Sequence, residues 1–560
     1  MKPKTFTLEQ YARSSFHYFQ ALVDAGAQPY FNVFITDPAV AVHDWPDFGD
    51  VASRQLQGVV MGRVMTGERL PVEDAWMRNC LGYIDPASGL LARPATNYSN
   101  PGPDPGDAAL TLYALATAFL ESGDPALGAV VRNMVDGVNA TWPVSGGWGN
   151  GFIIKSLMVA GRALGGYAPA FQRAADLCRR IFSENDPFTQ DNRWVVNAHM
   201  HGSLRTLVGA ADYALYAGDA VLYSRVAALY EFIRAHATRF GFIAESHARQ
   251  DDVITCETCA LMDWMGLAVT LANHGHPEYW GDVERLARNH LVESQLQAVD
   301  FIHVDSTRPD TDQFTWRDLD RRMLGAYAGW SSPNHFLGAI EKMVWWGGPE
   351  IRDQPRLLQN CCGGSGTHAF FIAWKNAARV ENGCLDVNLH IDKRLPEAEI
   401  RGFQPYQGRL TICLEQPLQV RVRIPEFTSA AEMQVRCGAN PVQPAVWANY
   451  LDLGLQPAGE QIEIRYPLRV TTEEIAVGNP GFQSYRYRVT WKGDTVLGME
   501  PLGEPPQMVY SAPEKGQVRV FYGADGPGPL YQRTHLVPDV EPELSHIQID
   551  LGALDLWKIR

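Results

Sequence analysis

The sequence predicts a molecule in two parts: a mainly α-helical (α/α)6 toroid of the six-hairpin type over residues 1–380, and an all-β sandwich over 381–560 that includes a C-terminal wrap-back segment. Three observations predict it. Upstream of residue 380, apolar side chains recur with a 3.6-residue period; the segments so marked end in Gly-containing stops about 50 residues apart, or at multiples of that; downstream, the period switches to two.

Taken in order, residues 1–26 read as an amphipathic helix carrying Phe6, Tyr11, Phe16, Phe19 and Leu22. They hold no continuous apolar run and no small-residue cleavage site, so a secretory signal is not expected. Helical periodicity follows at Ala108–Leu120, Leu204–Tyr216, Val221–Ala235 and Ala260–Ala272. The stops are Thr66-Gly67-Glu68, Ser122-Gly123-Asp124, Ala217-Gly218-Asp219 and His274-Gly275-His276. Glycine there suits a left-handed C-cap, with the next helix a few residues on. A repeat of this length is a two-helix hairpin, and about six of them fit in the first part, enough to close a ring with a concave centre. Beyond it, Leu385–Ile391, Leu410–Leu414, Val420–Ile424, Gln461–Tyr466 and Tyr485–Trp491 alternate as strands between Pro, Gly and Asn clusters. No low-complexity linker separates the parts, so they are expected to pack tightly.

Charge narrows the partners. The formal net charge is −15, from 48 Lys and Arg against 63 Asp and Glu. Nucleic acid and anionic membrane surfaces both need basic patches, so neither is expected. No stretch reaches the roughly 18 apolar residues of a membrane span. The nine cysteines are an odd set, which in an unsecreted chain means reduced thiols, any functional ones being metal-binding or catalytic. A cytoplasmic location is the expectation.

Four residues stand out as chemistry: Glu257 and Cys259 in Cys256-Glu257-Thr258-Cys259, and the doublet Cys361-Cys362. Three thiolates and a carboxylate form a tetrahedral donor set for Zn2+. Glu257 and Cys259 share a side only if their segment is extended or a loop ahead of a helix starting near Ala260. The competing reading is four ordinary buried thiols and acids, since free cysteine is among the most buried residue types.

Those segments carry a family likeness. Gln250-Asp251-Asp252-Val253-Ile254-Thr255-Cys256-Glu257-Thr258-Cys259-Ala260 resembles the Pro-Asn-Asp…Glu-x-Cys-Ala motif of the β-L-arabinofuranosidases of glycoside hydrolase family 127. The run Tyr279–Gln297 is similar to a helix of that family, Phe301-Ile302-His303-Val304 to its aromatic-rich strand, and Cys361-Cys362 to its doublet, opening a helix over about 367–378. Asp386–Ile391 and Val420–Pro425 then resemble its sandwich strands, and the ordered likeness covers about residues 195–500. The resemblance implies that Glu257, Cys259, Cys361 and Cys362 hold zinc, that Cys361 is the nucleophile and that Glu245 is the acid/base, with Asp251 and Asp252 competing for that role. A thiolate formed on zinc persists at neutral pH, and retaining hydrolysis needs a nucleophile opposite a proton donor, so the roles are chemically coherent.

The chain departs from the family pattern in places. Gly363-Gly364-Ser365-Gly366 replaces the usual Pro-Pro-Asn continuation; it reads as a Gly-rich turn that lets the doublet approach the metal, or as a phosphate cradle, though it lacks the Lys-Ser/Thr ending. The 305–355 stretch lengthens the interval to the doublet and brings Trp316, Tyr327, Trp330, Trp345 and Trp346, read either as a sugar-stacking lid or as packing. His199, His201 and His303 are candidate sugar contacts, each with a structural alternative, and so are Asp47 in His43–Asp50 and Trp148 in Trp148–Gly151.

The sequence thus points to a zinc-dependent retaining glycosidase with a cysteine nucleophile, acting on a β-L-arabinofuranoside or related furanoside. Its partner is a small carbohydrate, and the sandwich offers surface for a homodimer. The rivals are a sugar epimerase or lyase using His199, His201 or His303 as base, and a non-catalytic carbohydrate-binding protein with a structural zinc site.

Overall fold

A computed structural model describes residues 5–22, 32–34, 38–42, 48–93, 101–144, 151–184, 186–195, 198–248, 255–299, 302–311, 314–336, 356–478, 485–501, 508–512, 516–520 and 531. Its longer helices are α1 (Glu9–Ala21), α2 (Phe48–Thr66), α3 (Val72–Gly82), α4 (Pro105–Ser122), α5 (Pro125–Thr141), α6 (Ile154–Ala163), α7 (Ala168–Ser183), α8 (Met200–Ala217), α9 (Ala220–His236), α10 (Thr258–Ala272), α11 (Trp280–Arg288) and α12 (Asn360–Asn376).

The even-numbered helices form an inner ring. Each packs on the next, α2 on α4, α4 on α6, α6 on α8, α8 on α10 and α10 on α12, and α12 returns to α2. The odd-numbered helices pack outside, α3 on α2, α5 on α4, α7 on α6, α9 on α8 and α11 on α10, with α1 lying across α2 and α12. The toroid expected from the periodicity is the observed fold.

Side-chain pattern sorts helices between the two rings. Along α8, residues Met200 to Asp212 are all buried, as are Thr258 to Met265 along α10. An outer helix such as α7 buries only Ala170, Phe171, Ala174, Leu177, Cys178, Ile181 and Phe182, a single stripe. A helix apolar all round must be covered on every side, whereas a striped one has a solvent face. The four glycine stops all have left-handed φ, +75° at Gly67, +66° at Gly123, +67° at Gly218 and +107° at Gly275. Asp124 and Asp219, next to two of them, cap α5 and α9 through the N–H groups of Ala126 and Leu222.

Helix α12 ends at Asn376 and strands begin at Ala378. Two sheets then face each other: a five-stranded one containing Ala378–Glu381, Cys384–Val387, Leu418–Arg423, Ala445–Trp447 and Tyr450–Gln456, and a six-stranded one containing Ala398–Gly402, Arg409–Leu414 and Gln461–Arg465. Their alternate residues, among them Leu385, Val387, Val420, Val422, Leu410, Ile412, Ile462 and Ile464, share one apolar core. The strand expected at 485–491 forms (Tyr485–Lys492), but in a separate three-stranded sheet with Val470–Val477 and Thr495–Glu500. Its Tyr487, Val489, Trp491, Val496 and Met499 join the helical core, so it belongs to the toroid's packing.

Buried ion pairs tie the two parts together. Glu284 of α11 pairs with Arg288 (2.8 Å) and with Arg423 of the sandwich, while Arg288 also donates to the carbonyls of Gln404 (3.0 Å) and His390 (2.6 Å).

Two local expectations are corrected. The helix read over Tyr279–Gln297 breaks at Asn289 (φ −120°, ψ −101°). The Asn289 side chain donates to the Arg285 and Asp494 carbonyls, each at 2.9 Å, and accepts from Val496 N–H at 2.8 Å, which plugs the break into the three-stranded sheet. Residues 302–304 are not strand. Among the described residues, no helix is long and apolar enough to cross a membrane. The C-terminal stretch read as wrapping back lies outside the described residues, except that Tyr531 is buried and its hydroxyl meets His290 Nδ1 at 3.1 Å.

Candidate metal and active centre

Both halves of the donor set sit where a strand runs straight into an inner helix. Cys256–Glu257 pairs antiparallel with Trp330–Ser331, and α10 starts at the next residue, so Glu257 is the N-cap and Cys259 lies in the first turn. Arg356–Gln359 pairs with Asn32–Phe34 and leads directly into α12, whose first turn holds Cys361 and Cys362. Both helices begin earlier than the sequence implied, α10 at Thr258 and α12 at Asn360.

The run Gly363-Gly364-Ser365-Gly366 is therefore helix, not turn, and its glycines serve packing. A Cβ on Gly363 would meet the Tyr18 ring at 2.4 Å, one on Gly364 the carbonyl oxygen of Arg54 at 2.0 Å, and one on Gly366 the Tyr327 ring at 2.4 Å. Bare backbone on this face lets α2 approach α12 closely enough to bring Arg54 beside the cysteine turn.

The sulfurs converge. Cys259 Sγ lies 3.7 Å from Cys361 Sγ and 3.5 Å from Cys362 Sγ, and Cys361 Sγ lies 4.0 Å from Glu257 Oε1. The four donor atoms all lie within 4.8 Å of one another. A tetrahedron of sulfurs at about 2.3 Å from zinc has edges of about 3.8 Å, so the spacing and the donor chemistry fit Zn2+. All three thiols are free. Val51 of α2 and a half-buried Trp330 pack on them.

Electrostatics separates the three thiols. Burial works to raise Cys259, but its hydrogen bonding with Cys361 and Cys362 and the charge of Arg54 outweigh it and hold Cys259 well below its ordinary range. Burial and the neighbouring sulfurs push Cys361 and Cys362 well up. Three thiolates this close repel one another, and a divalent ion held among them would supply the counter-charge that lets them stay deprotonated together.

Glu245 and His199 stand at the partly open side. Glu245 N–H donates to the Thr255 carbonyl (2.8 Å), Met200 N–H to the Glu245 carbonyl (2.7 Å), and Thr255 Oγ1 donates to Glu245 Oε2 (3.2 Å). His199 caps α8 by accepting the Gly202 N–H on Nδ1 at 3.3 Å. That assigns the neutral ring's proton to Nε2, which faces Glu257 Oε2 at 3.4 Å and Glu245 Oε1 at 3.9 Å. His199, Glu245 and Glu257 also form a compact three-residue group. A ring that accepts on Nδ1 donates from Nε2, so this group handles protons more readily than a second cation. The side chains are 30% exposed for His199 and 15% for Glu245, against 5% for Glu257.

His201 lies deeper. Its Nδ1 contacts Asp263 Oδ2 at 2.7 Å and its Nε2 contacts Arg54 Nη2 at 2.8 Å, while Arg205 Nη1 reaches Asp263 Oδ1 at 3.5 Å. The structure brings together Glu257, Cys259, Cys361, Cys362, Glu245 and His199, with His201 in the layer beneath. His303 is exposed and joins neither compact group; its carbonyl accepts from Ala39 N–H at 2.8 Å. Asp47, Trp148, Asp251, Asp252, Trp345 and Trp346 lie outside the described residues. Of the aromatics read as a lid, Trp330 reaches the sulfurs. Trp316 is buried with Val40 and Val42, and Tyr327 with Ser15 and Gln295.

Sequence reasoning missed Arg54 and Asp263, and reached Asp50 only as the end of the His43–Asp50 cluster. The signal was present for Asp263, a lone acid within an apolar helix and four residues after Cys259. For Arg54 it lay only in tertiary proximity.

No protein-family model matches the sequence, and no curated protein matches it. Solved structures do match. A β-arabinofuranosidase of glycoside hydrolase family 127 is 14% identical, with 88% of this chain and 83% of that one covered and a TM-score of 0.60. A family-127 β-L-arabinofuranosidase from Geobacillus stearothermophilus T6 is 13% identical, with 88% and 85% covered and a TM-score of 0.60. A protein described as a glycoside hydrolase is 13% identical, with 88% and 83% covered and a TM-score of 0.61. At such identities the likeness is one of fold, and in fold this chain resembles the β-L-arabinofuranosidases of glycoside hydrolase family 127.

Proposed function

We propose that the chain is a retaining glycoside hydrolase with a cysteine nucleophile, acting on a β-L-arabinofuranoside or a related furanoside. The observation that supports this best is the grouping of Cys259, Cys361, Cys362 and Glu257 within 4.8 Å, edged by Glu245 and His199 at the partly exposed side. Zinc held by those four residues supplies the charge that keeps sulfur deprotonated at neutral pH.

The chain's own groups do the rest. Cys361 is the more exposed member of the doublet, 3% against none for Cys362, whose Sγ is turned to the Gly329 carbonyl at 3.7 Å. In the first step Cys361 Sγ attacks the anomeric carbon, the C–O bond to the leaving group breaks, and Glu245 gives that oxygen its proton. In the second, Glu245 takes a proton from water, the water oxygen bonds to the anomeric carbon, and the C–S bond breaks, so configuration is retained and the thiolate returns. His199 directs Nε2–H toward both glutamates. Trp330 offers a flat apolar face beside the sulfurs for the C–H side of a sugar. The epimerase or lyase reading finds less support: of its three candidate bases, His201 is buried and engaged by Asp263 and Arg54, His303 stands apart from both compact groups, and His199 commits Nδ1, its only free lone pair in that tautomer, to the Gly202 N–H.

The test is turnover of a panel of nitrophenyl furanosides and pyranosides by the wild type, Cys361→Ala and Glu245→Gln. The reading expects hydrolysis of a furanoside with retention of configuration, loss of about 10²–10⁴-fold for Glu245→Gln, and no turnover for Cys361→Ala. Undiminished turnover by Cys361→Ala contradicts it.

A further inference from the structure

Four anionic ligands around a divalent ion would leave two negative charges in a pocket whose ligands are nearly all buried, and buried charge of that size needs a counter-charge nearby. The inner ring supplies one from α2. Arg54 is buried, with its side chain 3% exposed, and is held from three directions: Asp50 one turn back on its own helix, Ser365 Oγ of α12 at 2.9 Å, and His201 Nε2 at the start of α8 at 2.8 Å. Ser365 is one turn beyond Cys361 on α12, and Val51, one turn before Arg54, packs directly on the three sulfurs. The glycine face of α12 fixes the separation, since any side chain at 364 would collide with the Arg54 carbonyl. The other guanidinium in this layer, Arg205, faces Asp263 and the Tyr113 ring (4.2 Å).

We propose that Arg54 is the positioning counter-charge of the zinc–thiolate centre, setting how tightly zinc is held by Cys259, Cys361 and Cys362, and that Asp50 opposes it. This rests on the zinc reading above. Arg54 touches no reacting atom; it acts through the field it places at the sulfurs and by fixing α2, α8 and α12 around them. A guanidinium makes the three-way grip, and its charge is permanent.

The opposed signs give the test. Zinc dissociation constants are measured on the full chain by competition with a chromophoric chelator, for the wild type, Arg54→Met, Arg54→Lys and Asp50→Asn, with thermal unfolding of each as a fold control. The expected result is about 10- to 100-fold weaker zinc for Arg54→Met, the range seen when groups supporting metal ligands are removed. Arg54→Lys recovers most of that loss, and Asp50→Asn binds zinc at least as tightly as the wild type. Arg54→Met binding zinc like the wild type overturns the proposal. So does equal weakening by Met, Lys and the Asp50 change, which marks a packing role only. If Arg54→Met fails to fold, Arg54→Lys and Asp50→Asn still decide. A wild type that binds no zinc through its cysteines defeats the zinc reading itself, a different outcome from any of these.

Discussion

His199 shows how one residue can hold a centre together. Its Nδ1 is committed to the Gly202 N–H at the start of α8, so its Nε2–H is left to face Glu245 and Glu257. Replacing it with Asn keeps a helix cap but withdraws that N–H, and is expected to lower kcat about 10²-fold while leaving zinc content unchanged. Steady-state kinetics beside metal analysis checks this, and loss of zinc in the variant contradicts it. The sequence made the Glu257, Cys259, Cys361 and Cys362 cluster legible because Glu-x-Cys and a Cys-Cys doublet are uncommon patterns that bring carboxylate and thiol donors into one chain order. It did not make Arg54 legible, because an arginine six residues into an apolar helix reads as an ordinary surface position until α12 is seen packed against it.

Between elements, the decisive contact is α2 against α12. Gly58 and Gly364 meet there, a Cβ on Gly58 lying 2.9 Å from the Gly364 Cα, and one on Gly364 only 2.0 Å from the Arg54 carbonyl. Gly364→Ala therefore forces the helices apart, with an expected loss of about 1–3 kcal/mol in stability and weaker zinc binding. Denaturant unfolding and zinc titration measure the two effects; an alanine variant as stable and as tight as the wild type contradicts the packing account. Helix period, stop glycines and strand alternation were all readable, since each is a local pattern. The Gly363–Gly366 run was misread as a turn, because glycine weakens a helix in isolation and only tertiary packing makes it the required residue here. The break at Asn289 was invisible for the same reason, its cause being the Asp494–Val496 hairpin far along the chain.

For the whole molecule, buried histidines set the response to acid. Burial lowers His290 to about 3 and His390 to about 4, and lowers His368 well below its usual value. All three are neutral in the folded chain at pH values where the unfolded chain, with a histidine near 6.5, binds protons. Their contribution to stability is thus fully present above about pH 6.5 and is lost as pH falls below it, down to about 4 for His390 and about 3 for His290. Unfolding midpoints are expected to stay level above about pH 6.5 and to fall as pH drops from there to 5, and a flat profile below pH 6.5 contradicts this. The toroid as a whole exists, on this account, to bring the N-terminal turns of α10 and α12 together around one ion, with α2 and α8 closing the layer beneath. The most direct measurement is zinc K-edge X-ray absorption on the purified chain. The account predicts one zinc bound by three sulfurs at about 2.3 Å and one oxygen at about 2.0–2.2 Å; a zinc shell of nitrogen and oxygen alone, or no zinc retained by a chain whose cysteines are reduced, would contradict it.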